Sequence, residues 1–381
     1  MILPVATLVL VHLANYVLIG SKIAFDAASN VYLLASAGKT TALLHSNDHG
    51  KSFKAYLIEG HENENRSWDI EQFSGHNTPE GPPAIVRFVR TSGRNKAPAR
   101  LPQQLRWRST NDLELIVAEK TGSGELSFRK PAKLTSRALA SSMHSGIPSM
   151  IVSRDRKIHV VWGEATDPSA STEDIPGVPA YIATYDRETQ TLGEPVFMNF
   201  GPPPNDSHNT PSITIDSKGY LHVVVGTHGR PFQYLRSLQP NDPYLGWTES
   251  VRTSNDDLRQ TYVGLVCDDE DNLHLVFRLW RSGEEHLDGS LWAALAHQRK
   301  PAGGEWEEPE ILIAPPLPDY GIYYHRFTID RNSDLHLNYD YWSTSWLYRN
   351  NTTGPGPGGA GKGIGRAVLT SPDHGESWKF W

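Results

Sequence analysis

Cysteine, basic residues and N-terminal positive charge are all scarce in this chain of 381 residues. The single cysteine, Cys267, excludes an internal disulfide framework. Lysine and arginine number 36 against 43 aspartate and glutamate residues, which gives a net charge of -7. A nucleic-acid-binding protein normally presents a basic face, so nucleic acid is not the expected partner.

The first 20 residues are largely apolar, but no lysine or arginine precedes Lys22. A secretory signal peptide usually begins with positive charge, and a membrane-spanning helix would be marginal at this length. Two interpretations of residues 1–20 stay open: a signal-like segment, or a strand that closes the fold. Residues 21–381 are interpreted as a single catalytic domain, and no other stretch predicts a membrane span, so no membrane partner is expected.

The strongest repeated pattern is an aspartate six residues before a histidine that lies in a short apolar run, as in Asp216 and His222. Period-two apolar runs cut by glycine, aspartate and proline predict antiparallel strands. Complete or partial copies of the pattern are centred on Tyr32, Glu114, His159, His222, His274 and His336. Their spacing predicts an all-β fold, a single β-propeller of four-stranded antiparallel blades. Because the histidine keeps one fixed position, we expect it to bond within its own blade and to have no catalytic role.

A second repeated element fits the pattern S-x-D-x-G-x-[ST]-[FW], known as the Asp box. It occurs from Ser46 to Phe53 and from Ser371 to Trp378. The aspartate can bind turn amides, glycine permits a positive φ, and the aromatic ring can pack between blades. Two full matches support the propeller but indicate no function.

The propeller geometry predicts which polar residues share a surface. In each blade the first strand leaves the upper rim and the second returns to it. His208 precedes a strand predicted at 212–216 and His228 follows one predicted at 221–226, so both imidazoles should converge on that rim. The same counting places further candidates there: His144, Tyr262, Arg278, Tyr324, His325 and Arg326. Few carboxylates join them, Glu164 and Asp340 being the main ones.

Histidine, tyrosine and arginine together favour one class of chemistry. Glycoside hydrolysis normally needs two carboxylates, and the three arginines and Tyr-Glu pair of a sialidase-type site cannot be assembled here. An arginine can instead neutralise a uronate carboxylate while histidine or tyrosine takes the C5 proton and the other donates to the leaving oxygen at C4. This is β-elimination by a polysaccharide lyase. Two alternatives stay open: a non-catalytic carbohydrate-binding propeller, and an Asp-box hydrolase that uses Glu164 or Asp340.

The segment from His208 to Ser237 carries the motif H-N-x-P-x-I-x-I-D…G-Y-x-H-V…H…P-x-x-Y-x-R-S, which resembles BNR-repeat propellers of the ulvan-lyase type. The resemblance implies a seven-bladed propeller that cleaves ulvan at a uronic acid. It implies that His208 and His228 lie at the cleaved linkage, Tyr262 is acid or base, and Arg278 neutralises the carboxylate. The rim positions of the other candidates make them expected substrate contacts: His144, Tyr324, His325 and Arg326.

The remaining expectations follow from that resemblance and from the chemistry. The partner is an anionic polysaccharide, the protein is a secreted or cell-surface monomer, and no cofactor takes part in the reaction. The resemblance also implies a structural zinc ion. The sequence does not place its ligands, because Cys267 lies in a first strand and His286 in an upper loop. A seventh blade would come from residues 1–20 or from poorly patterned sequence.

Overall fold

The structure, a computed structural model, describes eleven stretches of the chain, and they consist of β-strands and connecting turns with no helix. The described residues are 22–37, 40–60, 66–91, 110–139, 149–166, 177–202, 206–255, 259–282, 291–314, 322–342 and 364–381. Within these ranges, no helix is long and apolar enough to cross a membrane.

The strands of the N-terminal half form three sheets of four or more strands, here called blades 1 to 3, and one two-stranded hairpin. Blade 1 consists of β1 (Ile23–Phe25), β2 (Val31–Ala37), β3 (Thr40–Ser46) and β4 (Lys54–Ile58). The next strands are β5 (Arg66–Ile70), β6 (Thr78–Pro79), β7 (Ile85–Arg90), β8 (Thr110–Ile116), β9 (Ala118–Lys120), β10 (Leu126–Phe128) and β11 (Ala132–Leu139). Blade 2 is the sheet β5-β7-β8-β11, and β9 with β10 forms a separate hairpin.

Blade 3 contains β12 (Ile151–Asp155), β13 (Lys157–Gly163), β14 (Val178–Asp186), β15 (Thr191–Leu192) and β16 (Val196–Gly201), and β6 pairs parallel with β12. Blade 4 contains β17 (Ser212–Ile215), β18 (Leu221–Val225), β19 (Gln233–Gln239), β20 (Asp242–Trp247) and β21 (Val251–Arg252). Blade 5 contains β22 (Gln260–Cys267), β23 (Leu273–Ser282), β24 (Leu291–Lys300) and β25 (Glu310–Ile313). Blade 6 contains β26 (Ile322–Ile329), β27 (Leu335–Trp342), β28 (Ile364–Ser371) and β29 (Lys379–Phe380).

The blades are arranged around a common centre, as in a β-propeller. The first strands of blades 3 to 6 contact one another in order. Lys22, just before β1, forms a buried ion pair of 2.7 Å with Asp69 of β5. Arg331 of blade 6 donates to the main-chain oxygen of Asp26 in blade 1 (3.0 Å). The all-β propeller is therefore confirmed, while the number seven stays a prediction: the described residues form six such sheets, and residues 1–20 lie outside them.

The repeated aspartate and histidine bond each other, as the sequence predicts. His222 Nε2 lies 3.2 Å from Asp216 Oδ2, and the equivalent distance in blade 5, from His274 to Asp268, is 3.0 Å. In blade 6 the corresponding pair, His336 and Asp330, is 3.6 Å apart, and in blade 1 Tyr32 donates to Asp26 (2.9 Å). Where Ser153 replaces the aspartate, His159 bonds Thr184 (2.7 Å) and Asn241 (2.8 Å) instead. These side chains hold the blade turns.

Both Asp boxes form the expected turn between the third and fourth strands of a blade. In the first, Asp48 accepts from the main-chain nitrogen and hydroxyl of Ser52 (2.9 and 2.6 Å), and Gly50 has a φ of 82°. The second box repeats these bonds between Asp373 and Ser377. Its Trp378 packs edge-on against His297 of the neighbouring blade.

Residues 71–77, here called the central segment, lie against the inner strands of three blades. Glu71 accepts from the main-chain nitrogen and hydroxyl of Ser153 (2.6 and 2.7 Å). The main-chain oxygen of Ser74 accepts from Thr214 (2.6 Å) and Cys267 (2.9 Å). A Cβ atom at Gly75 would lie 2.6 Å from Thr214 Oγ1, so only glycine allows this close approach.

Candidate active site

The rings of His208 and His228 meet at one rim of the propeller. His208 precedes β17 and His228 follows β18, and their ring centroids are 5.2 Å apart. Thr227 ties the two segments together, because its hydroxyl lies 2.8 Å from the main-chain oxygens of both His208 and Thr210. The hairpin register thus brings together two residues that are distant in sequence.

Asp206 lies behind both imidazoles, and sequence reasoning missed it. Its carboxylate contacts Nδ1 of His208 and accepts from the His208 main-chain nitrogen (2.9 Å), while Oδ2 lies 3.9 Å from His228 Nε2. Burial alone would raise the pKa of the Asp206 carboxyl. The hydrogen bond from His208 and the charges of the two imidazoles nevertheless hold that pKa well below its ordinary value. Asp206 is therefore an ionised group that can orient His208.

Tyr262 reaches the same cluster from blade 5. Its hydroxyl lies 3.4 Å from His208 Nε2, and the two ring centroids are 5.0 Å apart. Tyr262 occupies a β-bulge between Thr261 and Gly264, where two residues of β22 oppose one of β23. Its φ is 63°, a conformation that non-glycine residues rarely adopt. Bulges and positive φ values of this kind concentrate at functional sites, where they redirect a side chain.

Arg278 covers Tyr262 from the adjacent strand. Arg278 pairs with Thr261 in the sheet register, and its guanidinium carbon lies 4.0 Å from the centroid of the Tyr262 ring. Both side chains are 4% exposed. A cation over an aromatic face is an attractive arrangement, so the guanidinium is held in a defined position over Tyr262.

The four residues predicted to contact substrate are not all on this surface. Tyr324 joins it, with its ring centroid 5.6 Å from that of Tyr262. Arg326 instead points toward the central segment and donates to Gln72 Oε1 (3.2 Å). His144 lies outside the described residues.

The prediction that His325 contacts substrate is not supported by its position. The side chain is fully buried, and Nε2 lies 3.3 Å from the main-chain oxygen of Val276 in blade 5. Burial lowers the pKa of His325 to about 3, so the imidazole is neutral. His325 packs between two blades, because neighbouring residues of a strand point to opposite faces.

The carboxylates proposed for a hydrolase are engaged elsewhere. Glu164 accepts from the indole nitrogen of Trp162 (3.0 Å). Asp340 pairs with Arg366 through two contacts of 2.8 and 3.3 Å. The carboxylate that the described residues bring to the rim cluster is Asp206, which is bonded to His208.

Three groups of described side chains have the composition and spacing to hold a metal ion. One is Asp206, His208 and His228 in the rim cluster. The second is His76, Cys267 and Asp271 at the central segment. The third is Asp268, Asp269 and His374 between blades 5 and 6. In the third group Asp268 already accepts from His274, Asn272 and His374.

The fold and the rim cluster together define a β-propeller with histidine, tyrosine and arginine side chains at one rim. Sequence comparison agrees with a β-propeller. Residues 179–354, slightly under half of the chain, match a BNR repeat-containing family member. That range includes the four predicted catalytic residues: His208, His228, Tyr262 and Arg278. No curated protein matches the chain.

Several solved structures are similar in fold at low identity. A Trypanosoma rangeli sialidase is 11% identical with a TM-score of 0.42, over 85% of this chain and 51% of its own. A Penicillium chrysogenum α-L-arabinanase is 12% identical with a TM-score of 0.45, over 86% and 90%. The polysaccharide lyase Uly1 is 14% identical with a TM-score of 0.38, over 61% and 54%. The chain thus spans about half the length of the sialidase and of the lyase. These similarities assign no activity.

Proposed function

We propose that this protein is a polysaccharide lyase that cleaves a uronate-containing polysaccharide, with ulvan as the expected substrate. The observation that carries the proposal is the contact of Tyr262 and His208 across two blades, with Arg278 fixed over the tyrosine ring. A proton acceptor, a proton donor and a permanent cation then lie within one cluster. These are the three groups that β-elimination beside a carboxylate requires.

In the proposed reaction Arg278 binds the uronate carboxylate. As C5 loses its proton, negative charge grows on that carboxylate, and a guanidinium can stabilise this charge with two parallel hydrogen bonds. His208 takes the C5 proton at Nε2, because Asp206 engages Nδ1 and fixes the imidazole orientation. This is the orienting arrangement that general bases commonly use.

The electron pair of the broken C5–H bond forms the C4–C5 double bond, and the bond from C4 to the leaving oxygen breaks. The Tyr262 hydroxyl donates its proton to that oxygen and later recovers one from solvent or from His208. His228, bonded through Nδ1 to the Thr261 hydroxyl (3.0 Å), offers Nε2 to a sugar hydroxyl or to the leaving group. Atoms and charge balance without a redox partner. A polymeric substrate also supports the expected secreted or cell-surface location.

The test is incubation of the purified protein with ulvan, with an unsulfated glucuronan and with a neutral polysaccharide. Growth of the ultraviolet absorbance of an unsaturated uronyl product on ulvan is expected, with Tyr262→Phe as the matched inactive variant. New reducing ends without that absorbance would overturn the lyase and indicate a hydrolase. Saturable binding of polysaccharide without any cleavage would indicate a binding module.

A further inference from the structure

A polar cavity lies between blades 4 and 5. Its volume of about 400 Å³ is within the range of roughly 300–1,000 Å³ that is typical of small-molecule sites. Blade 4 contributes residues 252–255, at the end of β21 and just after it. Blade 5 contributes Gln298 of β24 and residues 305–308, which belong to the connection from β24 to β25. None of the four proposed catalytic residues lines this cavity.

Gln298 joins the two walls of the cavity. Its side-chain nitrogen donates to the main-chain oxygens of Thr253 in blade 4 and Glu307 in blade 5. Main-chain bonds hold both segments in turn, because Thr253 donates to Phe232 (3.0 Å) and Glu307 donates to Arg299 (2.9 Å). The walls are therefore fixed before any ligand arrives, which lowers the entropy cost of binding.

Three side chains that line the cavity carry a buried polar atom with no hydrogen-bond partner among the residues that the structure describes. These atoms are Gln298 Oε1, the Ser254 hydroxyl and the indole nitrogen of Trp306. The Gln298 amide has a defined orientation, because its nitrogen must face two carbonyl oxygens. Folded proteins pair nearly all of their buried polar groups, so three exceptions around one cavity favour a ligand that pairs them.

The chemistry of the three atoms selects the ligand. The indole nitrogen can only donate, Gln298 Oε1 can only accept, and the serine hydroxyl can do both. An ammonium group cannot satisfy the indole, and a sulfate or carboxylate group cannot satisfy Gln298. An anion would also meet three exposed carboxylates beside one guanidinium, those of Glu305, Glu307, Glu308 and Arg252. A hydroxyl group both donates and accepts, so a neutral polyhydroxyl ligand fits all three atoms.

Trp306 adds an apolar surface to this polar site. Its ring packs edge-on against Tyr234 of β19, with the centroids 5.5 Å apart, and it is partly exposed. Tryptophan combines a large apolar face with one polar N–H group. A sugar ring has the complementary arrangement, with C–H groups on its faces and hydroxyl groups at its edge.

From the cavity, its unpaired polar atoms and this aromatic ring, we propose that blades 4 and 5 bind a neutral sugar at a second carbohydrate site. The ligand differs in charge from the anionic polysaccharide proposed for the rim cluster. The site does not depend on the proposed lyase activity, and a variant without that activity should still bind the neutral sugar.

The test is a titration of the whole wild-type protein with neutral probes at millimolar concentration: L-rhamnose, xylotetraose, cellotetraose and mannotetraose. Binding is followed through the NMR signals of the tryptophan indole N–H groups. We expect the Trp306 signal, identified by its loss in Trp306→Phe, to shift with at least one of these sugars. The signal of Trp378 is the internal control. Its indole nitrogen is also buried and without a partner among the described residues, but it lies in blade 6 and should not shift.

Variants then test the individual contacts by calorimetry. Trp306→Phe keeps an aromatic ring against Tyr234 and removes the N–H group, while Ser254→Ala removes the hydroxyl. Each should weaken binding of the neutral sugar by about 2–10-fold, the usual contribution of one hydrogen bond, in a protein that melts normally. Trp378→Phe is the matched control, because the Asp-box pattern accepts either aromatic residue, and it should bind as the wild type does.

Two charged probes, tetragalacturonate and spermidine, complete the test. If either of them shifts the Trp306 signal while the neutral sugars do not, the cavity binds an anion or a cation and the proposal is wrong. An unchanged Trp306 signal with every probe would also overturn it, as would equal affinities of the wild type, Trp306→Phe and Ser254→Ala. None of these measurements uses lyase activity, so failure of the proposed function would leave their outcome intact.

Discussion

The Tyr262 hydroxyl lies 3.4 Å from Nε2 of His208, although the residues are 54 positions apart and belong to different blades. The contact needs the bulge in β22 and the turn before β17 at the same time. It links the proposed acid to the proposed base and is the most informative relationship in the cluster for mutagenesis.

Tyr262→Phe removes one oxygen and keeps the ring under Arg278. If the hydroxyl transfers a proton, kcat should fall by about 10²–10⁴, the usual contribution of general acid–base catalysis. The melting temperature should stay close to that of the wild type. A loss smaller than tenfold in a folded variant would make Tyr262 a packing residue.

Asp206→Asn keeps the size of the side chain but removes its charge. The carboxylate is ionised and contacts Nδ1 of His208, so its loss should lower kcat by about 10²-fold or more and shift the pH profile. A shifted pH profile would show that Asp206 orients His208, because a purely structural role would leave the pH profile unchanged. Unchanged rates and an unchanged pH profile would show that His208 needs no orienting partner. Asp216→Asn, at the structural pair of the same blade, is the control and should affect stability more than the rate.

Much of this cluster was predictable from the sequence because a hairpin register is local. Strand periodicity and turn residues fix where β17 and β18 begin and end, and these positions determine that His208 and His228 share a rim. Counting from the repeated histidine likewise predicts that Tyr262 and Arg278 face the same rim. Each inference needed only the strand order of one blade and the expectation that its first strand leaves the upper rim and its second strand returns to it.

The positions that could not be predicted are those where side-chain direction depends on detail that the repeat does not encode. Tyr324, His325 and Arg326 are consecutive in a strand and therefore cannot share one face, and only Tyr324 reaches the cluster. The bulge in β26 also lies one position earlier in the sequence, relative to the repeated histidine, than that in β22. Asp206 was missed because its contact depends on the turn that precedes β17. The aspartate two residues before His208 was the available signal.

Arg278→Ala should be more damaging than Arg278→Lys, and both changes should be severe. Alanine removes the cation that stabilises the developing charge, a loss of about 10²–10³-fold in kcat/KM. Lysine keeps the charge but cannot form two parallel bonds to a carboxylate. Steady-state kinetics on ulvan should give this order, and Arg278→Lys at wild-type activity would exclude bidentate binding.

His222→Ala tests the difference between rim and blade histidines. His222 is buried and bonds Asp216 (3.2 Å) and the Tyr234 hydroxyl (2.7 Å). Its removal leaves these partners unsatisfied and should cost about 1–3 kcal/mol of stability, with kcat nearly unchanged below the melting temperature.

The matched variants on the rim are His208→Ala and His228→Ala. They should impair turnover with a smaller effect on melting, because their side chains are 17% and 23% exposed. An inactive His222→Ala that melts normally, beside active rim variants, would overturn the assignment of the upper rim.

Acid should destabilise this protein in two stages. The ordinary pKa of a histidine is 6.5, and burial lowers the pKa of His159 to about 4 and that of His325 to about 3. Burial together with neighbouring positive charges lowers the pKa of His297 to about 3. Below about pH 6.5 the unfolded chain therefore binds protons that the folded chain does not, and stability falls as the pH decreases. Each such histidine contributes a slope of about 1.4 kcal/mol per pH unit between its two pKa values.

The second stage involves the carboxylates. The pKa of Asp206 is held below its ordinary value of 3.8, so its contribution is complete above that value and is lost only at lower pH. Thermal unfolding from pH 7 to pH 3 should thus show a decline that begins near pH 6.5, well before Asp206 titrates. His159→Gln should make this first decline less steep. A melting temperature that stays constant down to about pH 4.5 would show that the buried imidazoles accept protons in the folded state.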